Sequence, residues 1–259
     1  MATENPVVLV TGASSGIGAA VCRRLAAGGA RLAAHARLGP DGAANPSLAK
    51  VVAKLRQAGA EAEAFHADLS EAGAGAALVG EAAARFGGLD QIVANAGFAN
   101  PARLGEVDRE ELDRALSTMT GAFFDLATAA LDHLKRSERG SVVAVSSFVA
   151  HVYPADGLFP TTAAAKGGIE ALARALAAQL APDGVTVNCV APGYTKKDKQ
   201  GHSSLGDGAW KKAAERTPLG RLAEPDDIAA CVEFLLGPGA THITGQVIHV
   251  DGGLTLYAE

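Results

Sequence analysis

The chain has little cysteine, few aromatic residues and no surplus of positive charge. Its three cysteines among 259 residues, Cys22, Cys189 and Cys231, are odd in number and far apart. They form no metal-ligand spacing, so no metal site is expected, and they read as reduced core thiols of a cytoplasmic protein. A net charge of −5 argues against nucleic acid as a partner. No apolar run is long enough for a membrane span, which excludes that class of partner. The opening Met1-Ala2-Thr3-Glu4-Asn5-Pro6 lacks the basic and apolar regions of a signal peptide, which again fits a cytoplasmic location. Composition shifts and internal repeats are also missing, so residues 1–259 read as one domain.

What is present begins with Val7 to Val10, a short apolar run suited to a strand buried on both faces of a parallel sheet. Thr11-Gly12-Ala13-Ser14-Ser15-Gly16-Ile17-Gly18 follows, and then Ile17, Ala20, Val21 and Leu25 fall at helical spacing. A strand, a glycine-rich turn and a helix start bring backbone N–H groups and a positive dipole end to one point. That point suits a pyrophosphate. The spacing is Thr-Gly-x-x-x-Gly-x-Gly, not the more widespread Gly-x-Gly-x-x-Gly. By itself it is also compatible with a tight turn that needs glycine for backbone reasons alone.

Downstream, strands are expected at Ala30–Ala36, Ala62–His66, Leu89–Ala94, Ser141–Ser147, Val185–Val190 and Gln246–Val250. The intervening segments have helical spacing or caps. Ser47 is a plausible N-cap for a helix to Ala58, Glu71–Phe86 forms the next helix, and a long one carries Leu112, Leu116, Met119, Phe123 and Leu126. Thr162–Leu180 should face the core through Ile169, Leu172, Ala173, Leu176 and Leu180, and Asp226–Leu236 forms the last helix. Residues 194–225 are polar and basic and read as a lid with a short helix around Trp210. This alternation predicts an α/β fold, one doubly wound parallel sheet with helices on both faces.

The ordered series Thr-Gly-x-x-x-Gly-Ile-Gly at 11–18, Asp68-Leu69, Asn95-Ala96-Gly97, Ala191-Pro192-Gly193 and Val250-Asp251-Gly252-Gly253 resembles the classical short-chain dehydrogenase/reductase family. Within that family it resembles the 3-oxoacyl-acyl-carrier-protein reductases. The resemblance runs from about Val7 to Gly253. It implies a single Rossmann-like domain with a seven-stranded parallel sheet, commonly a homo-tetramer, that binds a nicotinamide dinucleotide. It assigns Gly12, Ser14, Ser15, Gly16, Ile17 and Gly18 to the cofactor phosphates. Asp68 and the Leu69 backbone would meet the adenine, with a helix N-cap as the structural alternative for Asp68. Asn95, Ala96 and Gly97 would pass under the adenine-side ribose, and Pro192, Gly193 and Thr195 would face the nicotinamide. Thr195 comes early for the usual carboxamide contact, whose place Lys197 occupies. In this family an acidic residue ending the second strand selects the unphosphorylated cofactor. Here Ala36 holds that place and Arg37 follows it, which favours NADP(H) over NAD(H) because a guanidinium suits a phosphate.

The family's catalytic pattern is incomplete. Ser147 matches the serine that orients a carbonyl, and Lys166 matches the lysine that holds the nicotinamide ribose. The tyrosine four residues before that lysine is replaced by Thr162, and the relay asparagine of the long helix by Thr118. An aliphatic hydroxyl ionises far above the phenol range and is too short to reach the phenol's place. Three readings follow. Another group, Tyr153 or a water on Ser147 and Lys166, delivers the proton in a carbonyl/alcohol oxidoreductase. Alternatively the platform carries different chemistry, or the chain binds the dinucleotide without turnover, as a sensor or structural partner. The first is preferred because the cofactor positions are intact. Tyr153 and His151 each have a plain alternative, as a pocket-wall aromatic and a loop histidine. The Lys-Lys-Asp-Lys-Gln-Gly-His run at 196–202 is read as a solvated face, with an anionic or thioester substrate as the alternative. Phe98, Phe148, Tyr153, Phe159 and Trp210 are candidate walls of an apolar pocket.

Overall fold

The computed structural model describes residues 5–39, 41–153, 158–196 and 207–256. Among these, seven strands form one parallel sheet: β1 Val7–Val10, β2 Arg31–Ala36, β3 Ala62–His66, β4 Gln91–Ala94, β5 Ser141–Val145, β6 Thr186–Pro192 and β7 Val247–Val250. Their order across the sheet is β3-β2-β1-β4-β5-β6-β7. β1 has β2 on one side, with Val8 opposite Leu32, and β4 on the other, with Leu9 opposite Ile92. The chain therefore winds outward through β2 and β3, returns to the centre and winds the other way. Between β1 and β4 the crossovers leave in opposite directions, and a crevice opens at the strands' C-terminal ends.

The strands are buried on both sides because each face carries its own layer of helices. Val8 and Val10 point into a core built with α1 Gly16–Ala27, α2 Pro46–Gln57 and α8 Pro225–Leu236. Val7 and Leu9 point the other way, into a core built with α3 Ala74–Phe86, α5 Ala122–Arg136 and α6 Pro160–Leu180. Phe123, Leu126 and Ile169 are almost wholly enclosed there, each worth about 1.5–3 kcal/mol of burial. The remaining helices are α4 Arg109–Ala115 and α7 Asp207–Arg216, the latter being the short helix expected around Trp210.

Several local expectations are corrected. Asn45, not Ser47, caps α2: its side-chain oxygen accepts from the Ser47 and Leu48 N–H groups at 3.1 Å. Pro46 then takes the first helical position, where its missing N–H costs nothing. α3 starts at Ala74 and not at Glu71, because Gly73 turns into the left-handed region with φ 80°. Asp68 consequently does not cap α3. The long helix expected around Leu112 to Leu126 is two α-helices joined by a π-turn at Leu116–Gly121. There the Thr120 hydroxyl donates to the Ala165 carbonyl at 2.8 Å and so ties the turn to α6. On α6 itself, Leu172 and Leu176 are only partly buried. The buried stripe runs instead through Thr162, Ala165, Lys166, Ile169, Glu170 and Ala173.

Two glycines of the first turn are dictated by contact. Gly12 has φ 67°, and a Cβ there would lie 2.9 Å from the Asn95 amide nitrogen. At Gly18 a Cβ would lie 2.2 Å from the Gly12 carbonyl oxygen. Gly18→Ala should therefore push α1 off β1 and destabilise the chain by at least about 2 kcal/mol, read as a lowered denaturant midpoint. An unchanged midpoint would refute this close-contact account.

Candidate active site

At the crevice between β1 and β4 the first turn is fastened to the end of β4. The Thr11 hydroxyl oxygen accepts from the Asn95 and Ala96 N–H groups, both at 3.0 Å. The Asn95 side-chain amide donates to the Thr11 carbonyl at 2.9 Å and the Gly12 carbonyl at 3.2 Å. Asn95 thus braces the sheet, and the Thr11 hydroxyl is a second brace that the motif's spacing alone did not disclose.

Above this brace lies a cavity of about 490 Å³. One end is formed by Gly12, Ser14, Ser15, Gly16 and Ile17, and its side by Asn95, Ala96 and Gly97. The start of α1 faces it, with no side-chain cap from Ser15 and no acid in the first turn. Gly16 has φ 52°, and a Cβ there would meet nothing within 4 Å, so the turn is open toward the cavity. A helix start with no side-chain cap from Ser15 and no acid in its first turn fits an anionic phosphate linkage. Gly18 is not part of the lining and serves helix packing instead.

The far end of the cavity carries Ser147, Thr162, Lys166, Pro192, Gly193 and Thr195. Lys166 is buried on α6, and its Nζ donates to the Val145 carbonyl at 2.6 Å. Burial brings its pKa down from 10.5 to about 8, because the ammonium loses its hydration. A Cβ on Gly97 would stand 3.2 Å from this Nζ, so glycine there leaves the lysine its room. Ser147 lies two residues beyond β5 with extended backbone, and among the described residues its Oγ accepts only a long 3.4 Å contact from the Val149 N–H. Thr162 is buried at the mouth of α6, and its hydroxyl accepts from the Asn100 N–H at 3.4 Å. The Thr195 hydroxyl donates to the Gly193 carbonyl at 3.0 Å, which fixes the turn after β6.

Not every expected residue reaches this cavity. Tyr153 is 65% exposed, and its hydroxyl donates to the Ala150 carbonyl at 3.1 Å. It is not among the residues lining the cavity, which corrects its expected places as a pocket wall and as the proton donor beside Lys166. Phe98, Phe148, Phe159 and Trp210 do line it. Thr118 lies in the π-turn and is not among the lining residues. Arg37 is exposed beyond the end of β2, and Asp68 beyond the end of β3, at the same C-terminal edge of the sheet. Asp68 Oδ1 accepts from the Ser70 hydroxyl and N–H, which hold its carboxyl below the usual range with a further contribution from the charge of Arg37. Leu69 is buried in the core. Within the 194–225 segment, Lys196 pairs with Glu224, and residues 197–202 lie outside the described residues.

Other lining residues gave no signal in the sequence. Tyr194 packs against Phe148 with ring centres 4.7 Å apart and planes tilted by 56°, and Ser146 lines the cavity beside Ser147. The buried Glu170, one turn after Lys166, bonds to Ser146. An acid on the apolar stripe of α6 was the available sign of it.

This architecture agrees with the chain's relatives. The family model described as enoyl-(acyl carrier protein) reductase matches residues 12–255. The chain belongs to the classical short-chain dehydrogenase/reductase family. It is 38% identical over 251 residues to the cis-4-hydroxycyclohexanecarboxylate dehydrogenase of Sinomonas cyclohexanicum, covering 96% of each chain. It is 32% identical to a 3-oxoacyl-[acyl-carrier-protein] reductase of Staphylococcus aureus, covering 95% of this chain and 96% of that one. Among solved structures, a short-chain dehydrogenase of Burkholderia cenocepacia in complex with NADP superposes with a TM-score of 0.85 at 33% identity, over 96% of this chain and 97% of that one.

The burial of Lys166 has a measurable consequence. The unfolded chain keeps this proton up to about 10.5, while the folded chain releases it near 8. Between those values the unfolded state binds more protons, so stability rises with pH. Relative to Lys166→Met, the cofactor-free protein should gain up to about 3 kcal/mol across that window. Parallel stability curves for the two proteins in denaturant titrations would count against the shift.

Proposed function

We propose that this oxidoreductase interconverts a carbonyl and a secondary alcohol with NADP(H), its proton delivery altered from the family pattern. The observation that carries the reading is the convergence of Ser147 and Lys166 on the cavity that also holds the glycine-rich turn and the start of α1. Gly12, Ser14, Ser15, Gly16 and Ile17 would hold the pyrophosphate, with Gly18 permitting the close packing beneath. Asn95, Ala96 and Gly97 would flank the adenine-side ribose, and Asp68 and the Leu69 backbone the adenine. Lys166 would hold the nicotinamide-side ribose, and Pro192, Gly193 and Thr195 the nicotinamide. Bound there, the dinucleotide would supply or accept a hydride at the substrate carbon.

The chain's own groups divide the remaining work. Ser147 Oγ has no short hydrogen bond within the fold among the described residues, so its hydroxyl is available to a carbonyl oxygen. Lys166 sets a positive charge under the same end of the cavity and stabilises a developing alkoxide. Thr162 occupies the place of the family's phenol without its acidity, so the proton must come from elsewhere. The aromatic wall of Phe98, Phe148, Phe159 and Trp210 favours a substrate with an apolar body. The alicyclic hydroxy acid and the 3-oxoacyl thioester named for the relatives above set the first substrates to try. The reading includes a homo-tetramer in the cytoplasm; the partly exposed strip of Phe124, Leu131, Leu172 and Leu176 supports self-association.

Arg37 is assigned to the 2′-phosphate. Its backbone carbonyl accepts from the Asn45 side chain at 3.1 Å, which holds the segment in place, and its head is exposed. Fluorescence titration should give tighter binding of NADPH than of NADH, and Arg37→Ala should erase roughly tenfold or more of that preference. A ratio unaltered by the substitution would remove Arg37 from this role.

Turnover is tested with NADPH against cyclic ketones, ketocarboxylic acids and 3-oxoacyl thioesters. Oxidation of NADPH by one of these classes supports the reading, and tight binding without any turnover favours a silent dinucleotide-binding protein. Thr162→Tyr should raise turnover by ~10²-fold or more if the missing phenol limits the rate. A folded, cofactor-binding variant with no gain would show that proton delivery is already met by other groups.

A further inference from the structure

Beneath the cavity lies a buried acid that the reading above leaves unused. Glu170 on α6 is 4% exposed. One of its oxygens, Oε1, accepts from two sides: from the Ser146 hydroxyl at 2.5 Å and from His151 Nε2 at 2.8 Å. Ser146 is itself buried, and it lines the cavity immediately before Ser147. The side chain of His151 is 28% exposed. A continuous hydrogen-bonded chain therefore joins the cavity to the surface through a single carboxylate oxygen.

We infer that Ser146, Glu170 and His151 form a proton path between the cavity and solvent. The inference rests on the carbonyl/alcohol reading, since only a reaction that consumes or releases a proton needs such a path. In the reductive direction, a protonated His151 passes its Nε2 proton to Glu170 Oε1. The carboxyl passes that proton to Ser146 Oγ, and the Ser146 hydroxyl releases its own proton into the cavity, to the substrate oxygen or to a water on it. Glu170 returns to a carboxylate, Ser146 again points its hydrogen at Oε1, and the neutral His151 regains a proton from solvent. One proton enters and one leaves, and oxidation runs the same sequence backward.

The groups around the path are consistent with this task. Arg174, one turn along α6, stands 3.6 Å from the other oxygen of Glu170 and is half exposed, so it offsets the carboxylate without sealing it. Cys189 on β6 is pushed up to about 12 by burial and by the charge of Glu170, so its thiol does not compete for the proton. Lys166 sits one turn before Glu170 on α6 and donates to the Val145 carbonyl rather than to the acid. The His249 ring on β7 meets the His151 ring edge-on with centres 4.5 Å apart, and its Nδ1 contacts the Thr255 hydroxyl and lies 3.8 Å from Asp251.

The same bonds could act only as a staple that ties residues 146–151 to α6, and Glu170→Gln separates the two roles. A carboxamide oxygen still accepts both hydrogen bonds, whereas it cannot take up and pass on a proton at neutral pH. In the full-length protein with NADPH and an accepted carbonyl substrate, Glu170→Gln should lower kcat at least about tenfold. Its cofactor affinity and thermal midpoint should stay near those of the parent. Wild-type kcat in this variant overturns the path. If the variant does not fold, Ser146→Ala, which leaves Glu170 and its bond to His151 in place, must lower kcat to the same extent. His151→Ala should be slow and recover with added imidazole; absence of rescue counts against the path. If the parent protein turns over no carbonyl at all, the functional reading fails and the path, which rests on it, falls with it; turnover by the parent with wild-type kcat in Glu170→Gln overturns the path alone.

Discussion

The structure depends on the fastening of β1 to β4 across the point where the crossovers diverge. Parallel strands that part company leave their C-terminal ends with backbone groups that no neighbouring strand can satisfy. Thr11 and Asn95 satisfy them for each other, through two backbone donors on the Thr11 hydroxyl and two carbonyl acceptors on the Asn95 amide. At about 1 kcal/mol net for each bond, and more when one partner is removed from a buried pair, the arrangement is costly to break. It also holds Gly12 against Asn95 and Gly18 against Gly12, so that the start of α1 is presented at a fixed height above the sheet.

The site built on this brace is rigid at the cofactor end and unconventional at the chemical end. Lys166 is held in a dry position at the expense of its hydration, with the Val145 carbonyl as its hydrogen-bond partner. Gly97 makes space for it, and the π-turn before α5 is bonded to the Ala165 carbonyl next to it. Several elements therefore cooperate to keep a lysine where it is electrostatically expensive. Such an expense is characteristic of working sites more than of decayed ones. The Tyr-to-Thr replacement sits within this otherwise intact frame. It removes the phenol from that end of the cavity and leaves the frame unchanged.

Much of the architecture was legible because it follows from backbone periodicity. Continuous apolar runs such as Val7–Val10 could only be strands covered on both faces, and their alternation with helical spacing implied the doubly wound sheet. The helix boundaries were less legible where a neighbouring residue offered a better cap. Asn45 outcompetes Ser47 because Pro46 needs the first helical position. Gly73 delays α3 because its φ of 80° cannot belong to a helix. Leu172 and Leu176 reach only the margin of the core, because the buried stripe is taken by small residues and by Lys166 and Glu170, whose polar atoms find partners inside.

The sequence by itself determined the family, the fold and the residues lining the glycine-rich turn, since these depend on local backbone geometry and on motifs that carry their own spacing. It also determined that the usual acid is absent, because identity at position 162 needs no coordinates. Only the tertiary structure decided which side chains meet. Tyr153 and Lys166 are 13 positions apart in the chain, but the tyrosine faces outward and binds its own turn. Ser146, His151 and Glu170 come from the end of β5, the following turn and the middle of α6, and they join only because helix and sheet pack face to face. Contact between polar side chains on separate elements depends on packing angle and depth, and neither is written in the local pattern of residues.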